Sequence, residues 1–186
     1  MTLPVPLVDG VTLRLLRPDD GPALAAAYAR NREHLAPWEP VRPDAFWTAA
    51  RQTAQVGVAL SEHAAGRGCP LVLDDDGAIV GRLNVSDVVG GAFLNGHLGY
   101  WVDAARTGRG LMSAAVRAAV DLARDDLGLH RLQAATLPHN AASQRVLDRA
   151  GFTRIGVASR YLRIAGEWQD HVLFQRILDD PPTSTG

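Results

Sequence analysis

The chain contains one cysteine, Cys69, so no internal disulfide can form and a stapled extracellular scaffold is excluded. No segment approaches the roughly 18 consecutive apolar residues that cross a bilayer. Even the alanine-rich stretches are broken by Arg and Asp. The N-terminus lacks the basic start and continuous apolar stretch of a secretory leader, which makes the cytoplasm the expected location. A dominant charge is missing too, because 19 Lys and Arg against 20 Asp and Glu leave a formal net charge of −1. That balance exerts no global pull toward nucleic acid or an anionic membrane, although a local basic patch around a bound phosphate stays open. His97, His130 and His139 share no metal-ligand spacing with one another or with Cys69, and no metal is expected.

What is present suits one α/β domain over residues 1–180, with Pro-Pro-Thr-Ser-Thr-Gly at 181–186 as a frayed tail. Val11 to Leu16 reads as a strand, and Pro18-Asp19-Asp20 starts a helix ahead of Leu24, Ala27 and Tyr28. Three prolines between Asn31 and Pro43 forbid regular helix, so that stretch is expected to be an ordered surface loop. Residues 44–65 suit a helix ending at Gly66. Asp75-Asp76-Gly77 joins two apolar runs, 69–74 and 78–86, as an antiparallel hairpin. Residues 92–102 continue the sheet. Met112, Val116, Val120, Ala123 and Leu127 then fall at helical spacing opposite Arg117, Asp121, Arg124 and Asp125. A strand over 131–137, a short helix over 141–150 and a closing hairpin, 157–164 with 168–177, complete the order. The β-α-β-α succession requires at least one parallel strand pair.

The chemistry gathers where the run Gly99 to Val102 passes through Asp103 to Gly110 into the long helix. Glycines just before a helix let its unpaired N–H groups approach an anion, and the helix dipole adds positive potential there. A pyrophosphate fits, and so does a plain tight turn. Gly66-Arg67-Gly68 repeats the triplet after a helix, where no helix N-terminus is offered. The loop lacks the Lys-Ser/Thr of a P-loop and the third glycine of a dinucleotide fingerprint. Asn140 reads either as a helix cap or as a group facing a ligand, with Ser143 one turn further on.

At Gly108 and Gly110 the loop resembles the signature of the GNAT acetyltransferases, although Ala105 stands where that signature has Gln or Arg. The segments NREHLAPWEPVR, GRLNVSDVVGGAF, LGYWV, GRGLM, HRLQAATLPHNAASQRVLDRAGF and GEWQDHVL are similar to the RimJ and RimL branch of that superfamily, which comprises ribosomal-protein alanine and serine N-terminal acetyltransferases. The similarity runs from about Val11 to Ile177, and the loop around Trp38 looks most like the RimJ type.

The resemblance implies a mostly antiparallel mixed sheet flanked by helices and splayed at its fourth and fifth main strands. It implies acetyl-CoA as co-substrate, its pantetheine pairing with the backbone of Tyr100, Trp101 and Val102. The pyrophosphate would rest on the amides of Thr107, Gly108, Arg109, Gly110, Leu111 and Met112, with Arg109 and Arg106 as charged supports. In this reading Ser143 is the acid that protonates the leaving thiolate, and Asn140 contacts the pantetheine. Trp38, Glu39 and Asn84 would meet the acceptor, with Glu39, Asn84 and Asp87 also readable as solvated or turn residues. The acceptor implied is a protein N-terminal amine; a small amine, an antibiotic or a lysine side chain is the alternative, and a non-catalytic CoA-binding or ribosome-associated module is another. Monomer and homodimer are both compatible with the sequence.

Overall fold

One eight-stranded sheet organises residues 3–178, the part of the chain that this computed structural model describes; the expected tail lies outside those residues. The spatial order is β1 (Val5–Pro6), β2 (Thr12–Leu15), β3 (Cys69–Asp75), β4 (Ala78–Val89), β5 (Asn95–Val102), β6 (Arg131–Thr136), β8 (Glu167–Ile177) and β7 (Thr153–Ile164). Neighbours are antiparallel except β5 and β6, whose parallel pairing is made possible by the crossover helix α4 (Leu111–Asp125). The hairpin β3–β4 turns at Asp76 and Gly77, both with positive φ, as the Asp-Gly pair requires.

Two cores follow from the alternation of side chains along the strands. On one face Leu71, Leu73, Leu83, Leu98 and Phe174 pack with the apolar stripe of α4 and with Leu147 of α5 (Ala141–Arg149). On the other, Val72, Ile79 and Trp101 pack with Leu24, Ala27 and Tyr28 of α1 (Gly21–Arg30), Leu35 of α2 (Arg32–Leu35) and Val56 of α3 (Ala49–Ala64). Adjacent residues Tyr100 and Trp101 therefore serve opposite faces.

The expected loop over 31–43 instead opens with the one-turn helix α2. The prolines act only on residues near and after position 37, so Arg32 to Leu35 escape their restriction. The helix expected over 44–65 divides into a 3-10 turn, Asp44–Trp47, and α3, because Thr48 adopts extended angles and accepts the Arg51 N–H as an N-cap. Asp20 does not cap α1 with its side chain; its carboxylate instead grips Arg14 at 2.7 and 2.8 Å. Arg14 also reaches Asp74, and the hydrogen bond to Asp20 lifts its pKa further above the usual value against the opposing effect of burial. Burial, with the Asp126 charge, pushes the Cys69 thiol up to about 11 and leaves it inert.

Candidate active site

β5 and β6 pair only from Asn95↔Arg131 to Leu98↔Ala134. Beyond that point both strands continue unpaired to each other, and the sheet opens between β5 and β6, the fourth and fifth strands once the two-residue β1 is set aside. Tyr100, Trp101 and Val102 retain β4 on one side, opposite Leu83, Arg82 and Gly81, and present their other edge to the gap. Backbone groups on such an edge need a partner.

The gap leads into a cleft of about 360 Å³. Its walls bring together Tyr100, Trp101 and Val102 from β5, Arg106, Thr107, Gly108 and Gly110 from the following loop, Leu111 and Met112 from α4, Asn140 and Ser143 from the cap and first turn of α5, and Trp38. These are twelve of the residues singled out by sequence. At α4 the first amide with an acceptor in its own helix is Ala114, bonded to the Gly110 carbonyl at 3.0 Å, so the preceding amides have no acceptor within the helix and form its positive start. Gly108 and Gly110 have φ of +75° and +78°, and a Cβ at either would meet no protein atom within 4 Å. Glycine is needed there for its conformation and for the open space in front of it.

The loop is held from behind. Asp103 accepts hydrogen bonds from Arg30 Nε at 2.7 Å, Asn31 Nδ2 at 3.0 Å and the Ala105 N–H at 2.9 Å, while Asn31 Oδ1 accepts the Ala104 N–H. Burial alone would raise the Asp103 carboxyl, but the bonds from Asn31, Ala105 and Arg30 hold it below its ordinary value. Arg106 is ion-paired with Asp75, which fixes one cation at the mouth. Arg109 lies outside the walls, 3.9 Å from the Asp9 carboxylate and half exposed.

Asn140 caps α5, its Oδ1 accepting the Ser143 N–H at 3.0 Å, and it also lines the cleft, so the two sequence readings of this residue coexist. Ser143 Oγ lies 2.8 Å from the Tyr100 hydroxyl. Trp38 is half-buried, with its ring centroid 5.5 Å from that of His139. Glu39 is not in the cleft: it pairs with Arg42 at 2.9 Å, and its carbonyl accepts the Ala165 N–H from the β7–β8 turn. Asn84 stands on the opposite face of the sheet, in a second hollow of about 520 Å³ lined also by Glu62, Arg82, Asp87 and the exposed Gly99. Both hollows are bounded by β5, the cleft by Tyr100 to Val102 and the second hollow by Gly99.

Sequence reasoning missed Arg145 and Arg149, which both line the cleft. Their i, i+4 spacing on the helix carrying Ser143 was the available signal. Trp168 is 57% exposed on β8. Among the described residues no group of three or more His, Cys, Asp or Glu could hold a metal ion, and no helix is long and apolar enough to cross a membrane.

Residues 11–153 match the family described as acetyltransferase (GNAT) domain. The chain is 38% identical over 167 residues to the ribosomal protein uS5-alanine N-acetyltransferase of Escherichia coli (strain K12), a match covering 89% of this chain and 86% of that protein. It resembles the crystal structure of the ribosomal-protein-S5-alanine acetyltransferase from Vibrio fischeri with a TM-score of 0.88 at 35% identity, over 91% of this chain and 94% of that one. Mycobacterium smegmatis RimJ, solved in complex with CoA-disulfide, gives 0.87 at 32% identity over 92% and 84%. A family match over most of the chain, close relatives along nearly its whole length, and a sheet opened beside a glycine-led helix agree: this chain belongs to the GNAT acetyltransferase family.

Proposed function

We propose that this enzyme transfers the acetyl group of acetyl-CoA to the N-terminal α-amine of a protein, in a ternary complex, and that the cleft and the second hollow hold donor and acceptor on either side of β5. The observation that carries this reading is the convergence, in one cleft, of an open strand edge, a helix start bearing two positive-φ glycines, and a serine hydroxyl. Acetyl-CoA supplies an activated carbonyl carbon and a thiolate leaving group. The edge of Tyr100 to Val102 offers amide-pairing groups of the kind a pantetheine arm needs, and the residues from Thr107 to Met112 offer N–H donors to the diphosphate. Arg106, Arg145 and Arg149 add positive charge around it, with Arg109 further out.

In this reading Ser143, which lines the cleft, gives its proton to the departing sulfur, and Asn140 caps the turn from which it projects. Neutral amine is already plentiful near pH 8, because an α-amino group titrates at about 7.7 to 8.0, so no strong base is required. The acceptor side is read from the second hollow. Gly99 is exposed in mid-strand, and a Cβ there would meet no protein atom within 4 Å, which leaves room for a main chain to cross β5. Asn84 Oδ1 accepts a bond from Arg82 Nε at 3.1 Å, and Arg82 in turn reaches the Tyr28 hydroxyl. The Asn84 amide hydrogens are left to meet an acceptor carbonyl. Trp38, with Glu39 behind it in the same loop, borders the approach.

The relatives named for ribosomal protein uS5 make its N-terminal alanine the first acceptor to test. The enzyme should release free CoA thiol when mixed with acetyl-CoA and a peptide of that terminus, and mass spectrometry should find the acetyl group on the α-nitrogen. The chain itself contains no lysine, so any acetyl-lysine detected comes from the acceptor. Thiol release only with lysine side chains or small amines would replace the proposed acceptor, and no release with any amine would remove the enzymatic reading.

A further inference from the structure

We infer that Tyr100 is a positioning residue for Ser143, aiming the serine proton into the cleft. The inference rests on the reading of Ser143 as the acid. Tyr100 belongs to β5 and Ser143 to α5, and their hydroxyls meet at 2.8 Å across the open end of the sheet. The tyrosine hydroxyl also lies 3.3 Å from the Ser143 carbonyl oxygen, which can only accept. Two proton arrangements are therefore available. In one, Tyr100 donates to the carbonyl and Ser143 donates to Tyr100, which turns the serine proton away from the ligand. In the other, Tyr100 donates to Ser143 Oγ, and the single proton of the serine is left to point elsewhere.

The 2.8 Å pair admits either donor, but once a sulfur in the cleft accepts the serine proton, Ser143 Oγ can only accept from Tyr100, and the second arrangement holds. The Ser143 backbone is fixed independently by the Asn140 cap, so the hydroxyl rotor is the remaining freedom, and Tyr100 restrains it. Burial pushes the Tyr100 phenol up to about 12, with the Ser143 contact acting the other way, so Tyr100 keeps its proton at working pH and acts as a lasting donor. As the C–S bond breaks, its electron pair goes to sulfur. The Ser143 O–H bond then breaks in favour of S–H, the negative charge forming on Oγ is met by the Tyr100 O–H, and Oγ regains a proton from water. The proton shed by the acylated nitrogen goes to water, and the count balances.

Tyr100→Phe, Ser143→Ala and the double variant test this in the full chain. Tyr100→Phe should lower kcat about 5- to 10-fold, the worth of one neutral hydrogen bond, leaving the KM for acetyl-CoA, the calorimetric affinity for CoA and the melting temperature near wild type. Its crystal structure should show the Ser143 hydroxyl in more than one rotamer. Ser143→Ala should cost about 100-fold, and Tyr100→Phe should add nothing in that background. A full wild-type rate for Ser143→Ala would overturn the acid assignment itself. A loss with Ser143→Ala but none with Tyr100→Phe, or losses that multiply in the double variant, would overturn the positioning role alone. A Tyr100→Phe chain that melts far below wild type would show that the hydroxyl fastens β5 to α5 instead of aiming the serine, and would overturn it as well.

Discussion

Gly66-Arg67-Gly68 and Gly108-Arg109-Gly110 are the same tripeptide at opposite ends of a helix. The first closes α3: Gly66 takes a φ of +71°, the amides of Gly66 and Arg67 return to the carbonyls of His63 and Glu62, and Arg67 pairs with the Glu62 side chain at 2.6 Å. His63 Nδ1 stands 2.9 Å from the Gly68 carbonyl. The second precedes α4, where helix geometry turns amides outward and the dipole presents its positive end. Identical residues finish one helix and precede the start of another, so what the tripeptide can do depends on its placement.

Substitutions can break that comparison at several strengths. The largest effect is expected from Gly108→Val, since a β-branched residue held at positive φ costs roughly 1–3 kcal/mol and its side chain fills the space in front of the amides. CoA affinity measured by calorimetry should fall about 100-fold. The equivalent Gly66→Val should lower the melting temperature and leave CoA affinity alone; equal losses of affinity at both sites would erase the distinction.

Asp103→Ala comes next. It removes the anchor shared by Arg30, Asn31 and Ala105 while leaving both triplets intact, and a tenfold weakening of CoA binding, about 1.4 kcal/mol, is expected. The anchor also predicts a pH dependence. The folded-state pKa of Asp103 is depressed, so its stabilisation is complete above the unfolded value of about 4 and disappears as pH falls through the lower folded value. Wild-type stability should drop more steeply below about pH 4 than that of Asp103→Ala, which acid titration followed by circular dichroism would show. Parallel curves would mean that the bonds to Asp103 contribute little.

Arg109→Ala should reduce CoA affinity only a few-fold, with a gentler salt dependence than wild type, because its guanidinium is half exposed and outside the walls. The smallest effect is expected from Arg67→Ala, which should leave CoA affinity within error and so sharpen the contrast between the two arginines.

Much of this was legible in the sequence because it depends on local rules. The Asp-Gly hairpin, the stripe of α4, the helix stop at Gly66 and the parallel crossover follow from turn chemistry and periodicity. The short helix at Arg32 to Leu35 was hidden by prolines that act only from position 37 onward. The capping of α3 by Thr48, not by a residue near Asp44, depended on a break in dihedral angles that composition does not announce. At the site, the glycines, Asn140 and Ser143 were readable as types in a pattern. The meeting of Tyr100 with Ser143 was not, since it joins residues 43 positions apart across a gap that exists only after the sheet has formed. Nor did any local signal say that Asn84 and Trp38 would lie in different hollows.

The four paired positions between β5 and β6 have a mechanical consequence. The sheet is two blades riveted along a short seam, with a wedge-shaped slot running outward from its end. A thin molecule seated in that slot would bridge both blades and take up the hydrogen bonding that the strands decline to share. Saturating it at one hundred times its dissociation constant would deepen the native well by about 2.7 kcal/mol, so the ligand that is chemically consumed would also act as the clamp that stiffens the middle of the protein.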